Sequence, residues 1–228
     1  MSNPQPITVN RESGLAASNA GLLHRIVRAP FYSDEWVCIY HGDAREIAPD
    51  IGKCDLVLTD PPYGINKEEW DREYPEWANN LFFESADSVC VIPGIWALGK
   101  CIADMGDKYK WVIAGHKPAA MTNGALGFNK WQPAVVGGIV KRFGQDAFDF
   151  SQVDDGKQGH SCQKPLAFVK WLVSKLTDEG QTILDPFMGS GTTLRAAKDL
   201  NRRAIGIEIN EQYCEIAARR MSQGVLAL

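Results

Sequence analysis

Seven short apolar runs govern what this chain can fold into: "WVCIYHG", "CDLVLTD", "SVCVIPG", "KWVIAG", "AVVGGIV", "QTILDPF" and "RAIGIEI". Several are continuous rather than alternating, the pattern of strands covered on both faces in a parallel sheet. Helical segments separate them. Over 165–177, Leu166, Val169, Leu172, Val173 and Leu176 form one apolar stripe before Gly180. A second helix is expected to open at Asn210, a good N-cap, with Tyr213, Ile216, Ala217 and Met221 on one face. Strand–helix alternation of this kind predicts an α/β fold with a doubly wound sheet. The 228 residues, 45% of them apolar, suit one such domain over 35–228. Residues 1–34, rich in Asn, Ser and Pro, read as a peripheral N-terminal arm, although "GLLHRIVRAP" has the pattern of a short docked helix. The region 116–160 is long, polar and Gly-rich, and a connection of that kind inside a compact domain is usually functional or disordered.

Composition narrows the classes. No apolar run approaches the roughly 18 residues of a membrane span, and the N-terminus lacks the layout of a secretory signal, so no membrane partner is expected. Six scattered cysteines make no C-x-x-C pair and no zinc-spaced cluster; no metal site is expected, and reduced thiols in the cytoplasm are the default. His160 and Cys162 are close but isolated, and His160 reads as a polar residue rather than a base. A net charge of −4 argues against a dedicated nucleic-acid coat while allowing an enzyme with a local basic cleft.

Two stretches carry chemistry. In "ILDPFMGSGTT", 183–193, a strand runs into Asp185, then a turn at Gly189 and Gly191, then a helix expected to be capped by Thr192 or Thr193. Such glycines let backbone approach a ligand closely. Asp185 ends its strand where open α/β sheets bind ligands, and Glu208 ends the next strand at the spacing that lets an acid reach ribose hydroxyls. A phosphate loop is the competitor, but no Lys follows the last glycine. An acid at the turn repels phosphate and suits a cationic or hydroxylated ligand. The other stretch is "DLVLTDPPYGI", 55–65: an apolar run ending in Asp60, Pro61, Pro62 and Tyr63. An ordinary strand-ending turn is the plain alternative.

Asp-Pro-Pro-Tyr after a strand, with a downstream F-x-G-x-G loop, resembles the amino-group DNA methyltransferases. "HSCQKP" (160–165) resembles the motif leading the first cofactor helix and cupping the methionine end. "YHGDA" (40–44) resembles the Gly-Asp element near the cofactor's adenine, and "IGIEIN" (205–210) the strand ending in the ribose-binding acid. The catalytic motif precedes the cofactor loop, which resembles the circularly permuted, beta-type group of this family. The resemblance implies a Rossmann-like, S-adenosylmethionine-dependent sheet in which the strands near 55–60 and 182–185 are neighbours.

It implies, too, a cofactor set of Asp43, Ala44, Lys164, Pro165, Asp185, Pro186, Phe187, Gly189, Ser190, Gly191, Thr192, Thr193, Glu208 and Ile209. Asp60, Pro61, Pro62 and Tyr63 become the catalytic set. An adenine amino nitrogen is a weak nucleophile because its lone pair is delocalised into the ring. Acceptors on both amino protons, the Asp60 carboxylate and the Pro61 carbonyl, would localise it. Tyr63 would stack on a base swung out of the duplex. The expected activity is site-specific methylation of adenine N6 in double-stranded DNA, as in restriction–modification. Cytosine N4 is the rival, because its amine has the same donor geometry; an RNA or protein amide, or a non-catalytic nucleic-acid binder on the same fold, stand further off. Expected DNA contacts are Lys67, Lys117, Lys130, Lys141 and Arg142, the loop "GINKEEWDREYPEW", and a short target-recognition region at 116–160. A homodimer and a cognate restriction enzyme are left open.

Overall fold

Alternate residues of the apolar runs face two different helix layers, and this makes the fold. In a computed structural model of the chain, residues 28–62, 64, 75–117, 122–140, 144–149 and 164–223 are described. Strands β1 (Tyr32–Ser33), β2 (Val37–His41), β3 (Cys54–Thr59), β4 (Ala86–Val91), β5 (Tyr109–His116), β8 (Trp131–Gly138), β9 (Ala147–Asp149), β10 (Thr182–Asp185) and β11 (Arg203–Glu208) form one sheet, in the order β1-β2-β11-β10-β3-β4-β8-β5-β9. β6 (Thr122–Gly124) and β7 (Gly127–Asn129) make a separate hairpin between β5 and β8.

Helices α1 (Ala44–Ile51), α2 (Ala78–Ser85) and α3 (Leu98–Met105) cover one face, packing on Cys38, Tyr40, Val57, Val89, Leu184 and Ile207. Helices α4 (Leu166–Leu176), α5 (Thr192–Asp199) and α6 (Glu211–Ser222) cover the other, on Val37, Ile39, Leu56, Leu58 and Ile183. Burial on both faces is why these runs are continuous: Leu56, Val57 and Leu58 are each fully buried although their side chains alternate.

From β2 to β4 the pairings are parallel, and β8 then joins antiparallel to both β4 and β5. β10 is the parallel neighbour of β3, with Ile183 opposite Leu56 and Leu184 opposite Val57. From β10 the chain crosses through α5 to β11; from β3 it crosses the other way through α2 to β4. The switch point therefore lies between the carboxyl ends of β3 and β10, where doubly wound sheets open a crevice.

Two expectations need correction. The end of the expected N-terminal arm is built into the sheet. Tyr32–Ser33 pairs with Ile39 and Cys38, and the Asp34 carboxylate accepts from the Trp36 and Val37 amides and from Lys198 on α5 (2.5 Å). The region 116–160 is not simply irregular, because it contributes the last residue of β5, the β6–β7 hairpin, the whole of the largely buried strand β8, and β9. The rest of "GLLHRIVRAP" up to residue 27 lies outside the described residues.

Candidate active site

The cofactor loop expected at 183–193 follows β10 directly. Gly189 and Gly191 both take positive φ, 51° and 79°, which glycine adopts without steric cost. Gly191 occupies the N-cap position of α5, so neither Thr192 nor Thr193 is the cap. Their hydroxyls go elsewhere: Thr192 Oγ1 accepts from Arg220 (3.2 Å), and Thr193 hydrogen-bonds to Asp185. A Cβ on Gly191 would stand 3.0 Å from the Ala217 Cβ, so the glycine also lets α6 close on the loop. Gly206, inside β11, makes room in the same way for Met188 and Leu194.

Asp185 is buried, 3% exposed. The Thr59 hydroxyl donates to its Oδ1 (2.7 Å) and so does the Phe187 amide (3.1 Å). Burial pushes its carboxyl up to about 7, against the opposing pull of these donors; the nearby Asp60 charge adds a smaller push upward. Asp185 thus ties the end of β3 to the start of the loop. The motifs did not signal Thr59 as its partner; only the pairing of β3 with β10 brings the two together.

A cleft with about 490 Å³ of atom-free space, including its solvent-open mouth, lies beside the loop. Its walls are Gly42, Asp43, Ala44, Arg45, Trp77, Pro186, Phe187, Glu208 and Ile209, contributed by the ends of β2, β10 and β11 and the approach to α2. The sequence motifs marked six of these as cofactor contacts: Asp43, Ala44, Pro186, Phe187, Glu208 and Ile209. Asp43 is the N-cap of α1, accepting from the Arg45 amide (2.9 Å) and gripping the Arg45 guanidinium, which holds its carboxyl below the usual range. Glu208 accepts from the Gly189 amide (3.0 Å) and the Asn210 amide (2.8 Å), so the acid is fixed by the backbone it adjoins. Burial nevertheless raises its carboxyl.

Arg45 and Trp77 are functional candidates that the motifs missed. The Arg45 guanidinium lies 5.3 Å from the Trp77 ring centroid, and Trp77 is 5.6 Å from Phe187 at 37°. Phe187 in turn meets Phe82 edge-on. The result is an aromatic wall along the cleft. The signal available was a tryptophan directly before a helix, which by itself reads as core. Ile209, an exposed hydrophobic, stands at the same cleft.

Asp60 ends β3, one strand over. Lys164, expected at the cofactor's methionine end, has its ammonium on the Asp60 carboxylate, and the two side chains are 11% and 29% exposed. Pro165 takes the N-cap position of α4. Lys117, expected to meet phosphate, turns toward this pair: burial, then the Lys164 charge, push it down to about 8, with Asp60 pulling the other way. Its Nζ is 3.5 Å from Gln132 Oε1, and its amide donates to the Lys130 carbonyl (2.6 Å), closing the base of the β6–β7 hairpin beside the site. Lys130 is exposed. Pro61 is buried and Pro62 half-buried; Ser190 is buried in the loop. Tyr63, Lys67, Lys141, Arg142 and His160 lie outside the described residues.

Residues 96–219 match the family model for N6/N4 methyltransferases, described as DNA methylase. The type II methyltransferase M2.LlaDCHI of Lactococcus lactis subsp. cremoris is 43% identical over 87% of this chain and 94% of its own length. M.HindIII of Haemophilus influenzae is 51% identical over 67 residues, which is 29% of this chain and about a fifth, 22%, of that protein. The crystal structure of an M1.HpyAVI–SAM complex superposes with a TM-score of 0.67 at 24% identity, covering 82% of this chain and 100% of that one. The cytosine-N4-specific PvuII DNA methyltransferase gives 0.71 at 15%, covering 89% and 92%. Matched along more than half its length by the family model and over most of its length by M2.LlaDCHI, the chain belongs to the amino-group DNA methylase family.

Proposed function

We propose that the protein transfers a methyl group from S-adenosylmethionine to the exocyclic N6 amino group of adenine in double-stranded DNA. One observation carries the reading: the Asp60 carboxylate and the aromatic, acid-flanked cleft sit at the carboxyl ends of adjoining parallel strands, β3 and β10. The cleft suits S-adenosylmethionine, with Trp77, Phe187 and Ile209 for a flat base and Glu208 and Asp43 for hydroxyl and amine donors. When bound there, that cofactor supplies a methyl group activated on a sulfonium. A motif order with the catalytic segment before the cofactor segment accords with the circularly permuted group.

The protein's residues do the rest. Asp60 accepts one amino proton in a hydrogen bond and the Pro61 carbonyl accepts the other, so the nitrogen lone pair is aimed at the methyl carbon. With the cofactor bound, the nitrogen would form its new bond to carbon as the carbon–sulfur bond broke, the electron pair leaving with sulfur. The amine then loses a proton to Asp60 or water. Positioning supplies much of the rate in a transfer of this kind. Tyr63 follows the acceptors directly and is the stacking candidate for the extruded base, worth roughly 1–3 kcal/mol.

DNA would lie across the hairpin side of the crevice. Leu126 is fully exposed and Phe128 largely so, next to exposed Lys130. The test is incubation with labelled S-adenosylmethionine and mixed-sequence DNA, then identification of the methylated nucleoside. N6-methyladenine supports this reading. Methylcytosine would move it to the N4 rival, whose amine offers the same two donors. Asp before Pro-Pro-Tyr is the form that resembles the adenine group. Absence of label from DNA would sink both.

A further inference from the structure

We infer that Lys164 is the positioning residue of the catalytic carboxylate rather than a cofactor contact. The inference rests on Asp60 being the acceptor for the amine. An aspartate carboxyl rotates broadly about its last torsion, so where its lone pairs point is not fixed by the backbone alone. The Lys164 ammonium engages Oδ2 of Asp60 from a segment 104 residues away, in a setting where both side chains are largely withdrawn from water. A clamp on one oxygen sets the plane of the carboxylate, and so the direction from which it accepts.

The local sequence makes that clamp stiff. A residue before proline is held out of the helical region, so Pro165 confines the Lys164 backbone to extended conformations. Pro165 itself stands at the N-cap of α4 with φ −58°, and its carbonyl accepts from the Val169 amide (3.3 Å). The helix behind is anchored by Phe168, Val169, Leu172 and Val173, all buried against the sheet. On the other side, Thr59 is bonded to Asp185, which steadies the residue next to Asp60. Carboxylate and clamp are thus each held from behind.

Electrostatics argue that the lysine is there for the carboxylate. Lys164 sits at the amino end of α4, where the helix dipole disfavours a cation, and the first turn of α4 carries no acid to offset it. Lys117 adds a second positive charge nearby. Against a helix terminus and another lysine, Asp60 supplies a negative partner. A residue kept merely to start a helix would not be a cation in this place.

The experiment compares Lys164→Met and Lys164→Arg in the full chain, using tritiated S-adenosylmethionine, a duplex that wild type methylates, and cofactor affinity read separately by thermal shift. A positioning role predicts about a 100-fold lower single-turnover rate at saturating cofactor and DNA for Lys164→Met, the scale of a 1 Å misplacement. Cofactor affinity should stay within about threefold, and Lys164→Arg should recover to within about tenfold of wild type. An unchanged rate, or a loss confined to cofactor affinity, would overturn the inference, the second outcome returning Lys164 to the methionine end. If Lys164→Met does not fold at the assay temperature, Lys164→Gln keeps an N–H donor without the charge and is read by the same split between rate and affinity. Wild type that methylates DNA alongside an indifferent Lys164 variant sinks only this inference; wild type that methylates nothing sinks the proposed function first.

Discussion

The two sides of the crevice are built by different means. Along the cofactor cleft the acids are held by neighbouring backbone: Asp43 caps the helix it begins, and Glu208 receives the amides of Gly189 and Asn210. At the catalytic side the acid is held by a side chain from far along the sequence, Lys164, with Lys117 facing the pair. Backbone-held groups are set by local geometry and survive many substitutions nearby. A group held by one distant side chain depends on that side chain and on everything that places it. The cleft should therefore tolerate single changes by losing affinity in steps, whereas the catalytic side should fail outright.

The largest expected effect follows directly. Asp60→Ala should abolish methyl transfer, by about 1,000-fold or more in single-turnover rate, since it removes an acceptor aimed where the reacting amine must sit. The same variant should keep the rise in melting midpoint that S-adenosylmethionine gives wild type. Undiminished labelling of DNA would contradict the mechanism. A lost thermal response would erase the distinction between the two sides.

On the cleft side, Trp77→Ala should weaken cofactor affinity by roughly 10-fold, the order of one aromatic stacking partner. The transfer rate at saturating cofactor should be nearly unchanged. Isothermal titration gives the affinity and single-turnover labelling the rate. A fall in rate at saturation would mean that the wall also positions the methyl group. Intrinsic tryptophan fluorescence provides a second readout, because a base stacked on Trp77 should quench it.

This contrast also explains what could be read from the sequence. The seven strands were legible because each depends on a local apolar run; the adjacency of β3 and β10 and six residues of the cleft were legible through motifs that resemble the amino-group DNA methyltransferases. Trp77 was not, since its place against Phe187 and Arg45 exists only once α2 packs beside α1. Thr59 was not, because its partner lies 126 residues away. Lys164 was found as a residue but its contact with Asp60 was not, because motif order says which segments meet and not which atoms. Lys117 was read as a DNA contact, and burial beside Lys164 is a property of the folded chain. In 116–160 the polar, Gly-rich composition masked a hairpin that exposes Leu126 at its turn and Phe128 on β7.

That hairpin gives a smaller effect on a third property. Leu126→Asp should weaken duplex binding by about 10-fold, by placing a carboxylate where phosphates approach, and leave cofactor affinity unchanged. Fluorescence anisotropy on labelled DNA measures it. Wild-type affinity should fall steeply between 50 and 200 mM salt, as expected when a few cations meet phosphates. Equal binding by the variant would move the DNA surface away from β6–β7.

The smallest effect tests whether the two sides are electrically joined. Asp185 belongs to the cofactor loop, yet its carboxyl is raised to about 7 chiefly by burial and in part by the Asp60 charge. A carboxyl whose folded value exceeds its unfolded one holds more protons in the folded state between the two. Its contribution to stability is then complete below about pH 4 and lost as pH rises through about 7. Between pH 5 and 8 the wild-type melting midpoint should fall relative to Asp185→Asn, by on the order of 2 kcal/mol, or several degrees, and the difference cancels every group the two proteins share. Parallel curves would mean that the buried carboxyl stays ionised throughout, held by Thr59, Thr193 and the Phe187 amide more strongly than burial opposes. Asp60→Asn should shift the wild-type inflection to lower pH, because it removes a like charge across the switch point. An unmoved inflection would leave the two sides joined through Thr59 alone, by contact and not by field.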